Sequence, residues 1–313
     1  MQRTKLISFG ASCVGLVLLA GCSSSKQEDS ATPPSKPAGK TAVMSQPPMK
    51  RVSDRPANTT GAVFVSEYHH IRTAKDQMSR SVDDFKNDLQ QYYDLGFRPV
   101  LASEYLANKM PLPPGATPII MTFDDANPTQ LQLDASGNPT PDCAVGIWQE
   151  FAKTHPDFPV HATFFILPGR LWTTKKNDPA KVELLKKLGC ELANHTVTHP
   201  YLSRLTDDKV KKELGDANSK LEELGAKLPG PMALPFGLSP KNKALLTDGF
   251  DYEGKQVKFT GVFLNGAGPA RSPEDPKFNP FRVPRIIATK DPYGMDFWLK
   301  RAKDGKVKLY VSP

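Results

Sequence analysis

Seven short apolar runs, most of them separated by stretches of helical periodicity, constrain this 313-residue chain more than any other feature. They occupy residues 63–68, 119–123, 162–167, 191–193, 232–234, 261–264 and 282–287. Apolar runs of this length, bounded by turn residues, match strands buried on both faces of a parallel sheet. Between them, residues 82–95 place Val82, Phe85, Leu89 and Tyr92 or Tyr93 at helical spacing, with Ser81 and Asp84 as a capping box and Gly96 as a stop. Residues 180–188 and 207–224 read as helices ended by Gly189 and Gly225. This alternation predicts an α/β domain with a parallel sheet, and about seven strands over residues 61–313 fit a (β/α) barrel better than an open sheet. Catalytic side chains in such a barrel sit just after the strands, at their C-terminal ends.

Two motifs meet that test. Ile119-Ile120-Met121-Thr122-Phe123-Asp124-Asp125 ends a buried strand in two adjacent carboxylates. Acids forced together there are costly unless a cation or proton compensates. After the run at 191–193 comes Asn194-His195-Thr196-Val197-Thr198-His199. Histidines at i and i+4 on one helical turn present both imidazoles to a single ion. With one carboxylate they form an Asp-His-His set that leaves coordination positions for water and substrate, as a hydrolytic metal site requires. The chain has six histidines; His155 and His161, in a loop and at a strand start, read as structural.

The N-terminus speaks to compartment. Arg3 and Lys5 precede an apolar run over residues 6–20 that is short for a bilayer span and suits a secretory signal. Leu19-Ala20-Gly21-Cys22 resembles the lipobox of bacterial lipoproteins, in which the cysteine is acylated. Residues 1–21 are therefore expected to be a signal peptide. Residues 22–60, rich in Ser, Pro, Lys and Thr, are expected to be a disordered tether, because they bury too little apolar surface to offset ordering entropy. The implied location is extracytoplasmic, lipid-anchored through Cys22, and in a Gram-negative host at the outer membrane. Removing the signal lowers the formal charge of +8 by two. No basic–aromatic cluster points to nucleic acid, and a monomer is expected. Cys143 and Cys190 are more simply free thiols than a disulfide.

Thr-Phe-Asp-Asp, then His-Thr-x-x-His, then Ala233-Leu234-Pro235-Phe236-Gly237, with the strand Ala162-Thr163-Phe164-Phe165-Ile166 between the first two, resemble the polysaccharide deacetylase family (NodB homology, carbohydrate esterase 4). The resemblance covers residues 61–313 and implies a distorted, incomplete (β/α) barrel with about seven parallel strands. It implies Asp124 as catalytic base, Asp125, His195 and His199 as ligands of one divalent metal ion, and Pro235 and the Phe236 N–H at the oxyanion. The ligand types suit zinc best and also admit cobalt, nickel, manganese or iron.

Two features depart from the family pattern. No histidine follows His199 to supply the usual late general acid, and Ala233 stands where the third motif commonly begins with arginine. Tyr68-His69-His70-Ile71 resembles the start of the circularly permuted poly-N-acetylglucosamine deacetylases, which implies His69 as the acid. In a closed barrel the first and last strands are neighbours, so the permuted order keeps that histidine in the site. His70 is expected to point the other way if the strand continues. Arg285, or else Arg282, is the candidate for the missing arginine. Trp172 is a candidate for stacking on a sugar ring, and residues 126–142 for shaping the glycan groove. The implied activity is metal-dependent removal of N-acetyl groups from an N-acetylglucosamine-containing envelope or extracellular polysaccharide. The alternatives are an O-acetyl esterase on a glycan and a non-catalytic glycan-binding lipoprotein.

Overall fold

The computed structural model describes residues 50–73, 76–173 and 178–313. Cys22, the expected signal and most of the expected tether lie outside the described residues. Seven parallel strands form the barrel: β1 (Phe64–Tyr68), β2 (Thr117–Asp124), β3 (Thr163–Ile166), β4 (Glu191–Asn194), β5 (Gly230–Ala233), β6 (Phe259–Ala267) and β7 (Val283–Ile287). Each pairs with the next in chain order, and β7 returns to β1 with Ser66 opposite Ile286 and Glu67 opposite Ile287. The ring is thus hydrogen-bonded all the way round on seven strands, and all seven lie on the apolar runs of the sequence. Its thinnest seam is β4–β5, registered through Asn194 and Met232.

Period-two alternation sorts side chains into two layers. Val65, Ile120, Phe165, Ala193, Ala233, Phe263 and Val283 meet in one buried cluster inside the barrel. Phe64, Tyr68, Ile119, Met121, Phe123 and Phe164 belong to a second cluster, packed under the helices. Helix Val82–Asp94 buries Phe85, Leu89 and Tyr92 there, and the Ser81 hydroxyl accepts from the Asp84 N–H at its start. Helix Asp207–Glu223 buries Val210, Leu214, Ala217 and Leu221. It is tied to β4 by the Asn194 side chain, which donates to Asn218 Oδ1 at 2.7 Å.

Residues 50–60 depart from the tether expectation. They dock on the barrel's lower end: Val52 N–H donates to Pro114 C=O, Arg55 to Gly115 C=O, and Asn58 bridges Val311. Backbone N–H groups and the polar side chains of Ser53, Arg55 and Asn58 hold this segment through loop carbonyls, which composition does not reveal. Gly61 permits close passage of the C-terminal segment, since a Cβ there would lie 2.3 Å from the Leu309 backbone. Cys143 and Cys190 are both free thiols. Cys143 caps helix Ala144–Thr154, accepting from Gly146 N–H, and burial pushes the Cys190 thiol up to about 12. Among the described residues no helix is long and apolar enough to cross a membrane.

Candidate active site

Strand ends bring the expected residues together at the C-terminal mouth. Asp124 is the last residue of β2, and Asp125 follows in a left-handed conformation (φ 73°) that turns its carboxylate toward the histidines. His195 directly follows β4. The Asp125 Oδ1 atom is 3.5 Å from His195 Nε2 and 3.6 Å from His199 Nε2. One ligand atom from each of these three residues lies within 4.8 Å of the others.

The histidines do not share a helical turn, contrary to the sequence expectation. Residues 195–199 form a loop with Thr196 and His199 at positive φ. Hydrogen bonds replace the helix. Asn194 Oδ1 accepts from Thr196 N–H, Thr196 Oγ1 accepts from His199 N–H, and the Glu213 carboxylate takes the N–H groups of Val197 and Thr198. His195 Nδ1–H donates to Ala233 C=O at 2.9 Å, which fixes the tautomer and leaves Nε2 as the ligand atom.

Fit to a cation follows from charge and from unpaired atoms. Glu67 and Asp124 share one guanidinium, Arg285, while the Asp125 carboxylate faces the two histidines. His195 Nε2 and Asp125 Oδ1 are buried without a hydrogen-bond partner, and both belong to the Asp-His-His set. Burial pushes the Asp125 carboxyl up, but the His195 imidazole 3.5 Å away outweighs it and holds the group far below the usual carboxylate range. Burial, and then His195, lower the His199 imidazole, which favours its neutral, ligating form. Glu67, His69 and Asp124 also cluster, but Arg285 already takes both Asp124 oxygens.

Arg285 answers the missing arginine. It is fully buried and reaches from β7 to donate Nη1 to Asp124 Oδ1 and Nη2 to Asp124 Oδ2, each at 2.7 Å. Its Nε donates to Leu264 C=O and lies 3.4 Å from Glu67 Oε2. Burial alone would raise Asp124, but the charges of Arg285 and His195 hold it below its ordinary value. Arg282, two turns of the pleat away from the mouth, is exposed. The apolar setting of β1 hid Glu67 from the sequence reading: it is buried, raised by burial against the pull of Arg285, and stands on the inward face with Val65. An acid on the inward parity of an apolar strand was the available signal.

His69 lies just past β1, with Nε2 3.9 Å from Asp124 Oδ2 and 4.0 Å from Glu67 Oε1. His70 corrects its expectation. The strand ends at Tyr68, and His70 lines a cavity of about 210 Å³ with Asp125, Arg170 and His199. Phe236 follows β5 at φ 56° and is 42% exposed. Its ring stacks on Tyr201 at 4.0 Å and meets His199 edge-on at 4.5 Å, while Pro235 is buried beneath. Trp172 corrects its expectation too: at 0% exposure the ring offers no face to a sugar, and Lys181 Nζ lies 5.9 Å from its centroid. His155 and His161 are structural, the first stacked on Phe151 and the second bonded to Glu104.

The seven-stranded ring and its mouth place this protein among the NodB-homology (β/α) barrels. Residues 112–254 match the polysaccharide deacetylase family model, so the chain carries a polysaccharide deacetylase domain. A chitooligosaccharide deacetylase of Bradyrhizobium sp. (strain ANU 289) is 29% identical over 125 residues, 40% of this chain and 48% of that protein. The Streptococcus pyogenes deacetylase PplD, solved with acetate, superposes with a TM-score of 0.55 at 16% identity, covering 74% of this chain and 94% of that one. IcaB from Ammonifex degensii superposes with a TM-score of 0.53 at 20% identity, covering 78% and 96%. The chain spans less than half the length of the curated relatives it matches. β1, with Glu67 and His69, lies before the matched stretch and closes the ring beside the last strand.

Proposed function

We propose that the protein is a metal-dependent deacetylase that removes N-acetyl groups from an N-acetylglucosamine-containing envelope or extracellular polysaccharide. The observation that carries this reading is the convergence, at one mouth, of the Asp125–His195–His199 cradle, the arginine-held Asp124 and His69. Arg285 also removes the main reason to read the chain as a non-catalytic binder, since an arginine reaches the mouth despite Ala233.

Asp125, His195 and His199 would hold a divalent ion, with zinc suiting the ligand types, and that ion would supply Lewis acidity and a more acidic water. The chain's own groups do the rest. Arg285 keeps Asp124 ionised, so Asp124 accepts the proton of the attacking water. The Phe236 N–H, set by the turn after β5, donates to the developing oxyanion. His69 delivers a proton to the leaving amine nitrogen as the C–N bond breaks.

The test is acetate release from an N-acetylated chito-oligosaccharide, an N-acetylated peptidoglycan fragment and an O-acetylated glycan, with metal-loaded and chelated protein. Release from the N-acetyl substrates, lost on chelation, is expected. Release confined to the O-acetylated glycan would overturn the amide reading. Export and anchoring through Cys22 belong to the same proposal, on the strength of the Leu19-Ala20-Gly21-Cys22 sequence. Cys22→Ser should abolish fatty-acid labelling and release the protein from the membrane fraction, and unchanged labelling would refute lipidation.

A further inference from the structure

The segment that follows the Asp-Asp pair does more than border the mouth. Asp125 and Ala126, both at positive φ, reverse the chain after β2. Asn127 Oδ1 then accepts from the N–H and hydroxyl of Thr129, turning residues 129 and 130 back under the site. The following helix pins them there: Ala144 N–H donates to Thr129 C=O, and Val145 N–H to Gln130 C=O.

The β1–β2 ladder ends with Tyr68 opposite Phe123. The next rung would join His69 and Asp124, the proposed acid and base, but β1 stops at Tyr68. Gln130 spans that missing rung. Its side chain is fully buried, and its amide nitrogen donates to the His69 carbonyl at 2.8 Å and to the Asp124 carbonyl at 2.5 Å. Thr129 adds a second hold one step along, with its Oγ1 accepting from Ile71 N–H at 2.9 Å. Both acceptors are carbonyls, so only an NH₂ group satisfies them together, and this fixes the orientation of the amide.

We infer that Gln130 is a positioning residue that holds His69 in register with Asp124 across the end of the β1–β2 ladder, so that proton delivery and proton removal occur at one substrate. The inference rests on the assignment of His69 as the acid under the proposed function. Without the bridge His69 sits between the end of β1 and the short pairing of His70–Ile71 with Ser79–Arg80, with no ladder bond of its own to Asp124. Displacement by about 1 Å can lower a rate by about 10²-fold.

Gln130→Met keeps the length of the side chain and removes both donors, while Gln130→Asn keeps the amide on an arm too short to reach both carbonyls. In the full metal-loaded chain, each is compared with His69→Ala on an N-acetylated chito-oligosaccharide and on an aryl acetate, whose leaving group needs no proton. Gln130→Met should lower kcat on the oligosaccharide by about 10–100-fold, with KM, metal content and aryl acetate turnover little changed, and Gln130→Asn should fall between it and wild type. The His69 imidazole NMR signal should shift or broaden in Gln130→Met while those of His195 and His199 stay put. Equal losses on both substrates, or an unmoved His69 signal, would overturn the inference, and where Gln130→Met fails to fold the Asn variant reads the same pair. If His69→Ala spares the oligosaccharide while the His69 signal still moves in Gln130→Met, the positioning stands and the acid assignment falls.

Discussion

Arg80 and Arg285 are each buried against a buried carboxylate, and β1 stands between them. On its outer face Tyr68 enters the network of Arg80, Asp88 and Tyr92 under helix Val82–Asp94. On its inner face the adjacent Glu67 enters the network of Arg285 and Asp124. In the outer network Asp88 accepts from Tyr68 at 2.9 Å and from two Arg80 nitrogens, and Arg80 also reaches Asp296. Both Asp88 oxygens are taken. Around the inner one, Glu67 Oε1, His69 Nδ1, Asp125 Oδ1 and His195 Nε2 are buried with no hydrogen-bond partner among the described residues. A nearly saturated buried ion pair specifies packing, whereas one ringed by convergent unpaired donors and acceptors is poised for a ligand.

The largest effect separating the two should come from the ligands. His195→Ala or His199→Ala is expected to lose bound metal and reduce acetate release to background, with circular dichroism near that of wild type. Full metal content in either variant would break the assignment.

Next come the arginines themselves. Arg285→Met should lower turnover by about 10²–10³-fold, the scale for losing a preorganised electrostatic partner, while metal stays bound. Arg80→Met should cost about 3–5 kcal/mol of stability, because it strands a fully buried Asp88, yet leave turnover per folded molecule within about threefold. Denaturant titration and active-site-normalised kinetics measure the pair. Equal turnover losses in both variants would erase the distinction.

The smallest effect is in pH. Asp124 is lowered in the folded protein from an ordinary 3.8, so it contributes stability above that value, and the contribution is lost as pH falls through the folded value. Metal-free Asp124→Asn should therefore show a shallower loss of thermal midpoint on acidification below about pH 4 than wild type. Superimposable acid limbs would show that Arg285 does not favour the ionised Asp124.

Local sequence by itself missed helices such as Ala144–Thr154 and Met295–Lys303, but it determined the seven barrel strands, the helices Val82–Asp94, Asp178–Lys187 and Asp207–Glu223 to within a few residues, and the positions of Asp124, Asp125, His195 and His199. Each of these depends on short-range periodicity, or on chemistry placed directly after an apolar run, and short-range patterns survive without knowledge of the partner. Tertiary structure alone decided the rest, because the deciding contacts join residues far apart in sequence. Closure of β7 on β1 selects Arg285 over Arg282 and delivers it to Asp124, 161 residues away. The same closure turns Glu67 from an odd acid in an apolar strand into part of the site. Glu213 and Asn194 hold residues 195–199 in a loop where i, i+4 spacing alone read as helix. Trp172 and Gln130, an aromatic and an amide in surface-like sequence, are sealed inside the fold. Whether such a residue is core, groove or clasp is settled by what the ring of strands packs against it.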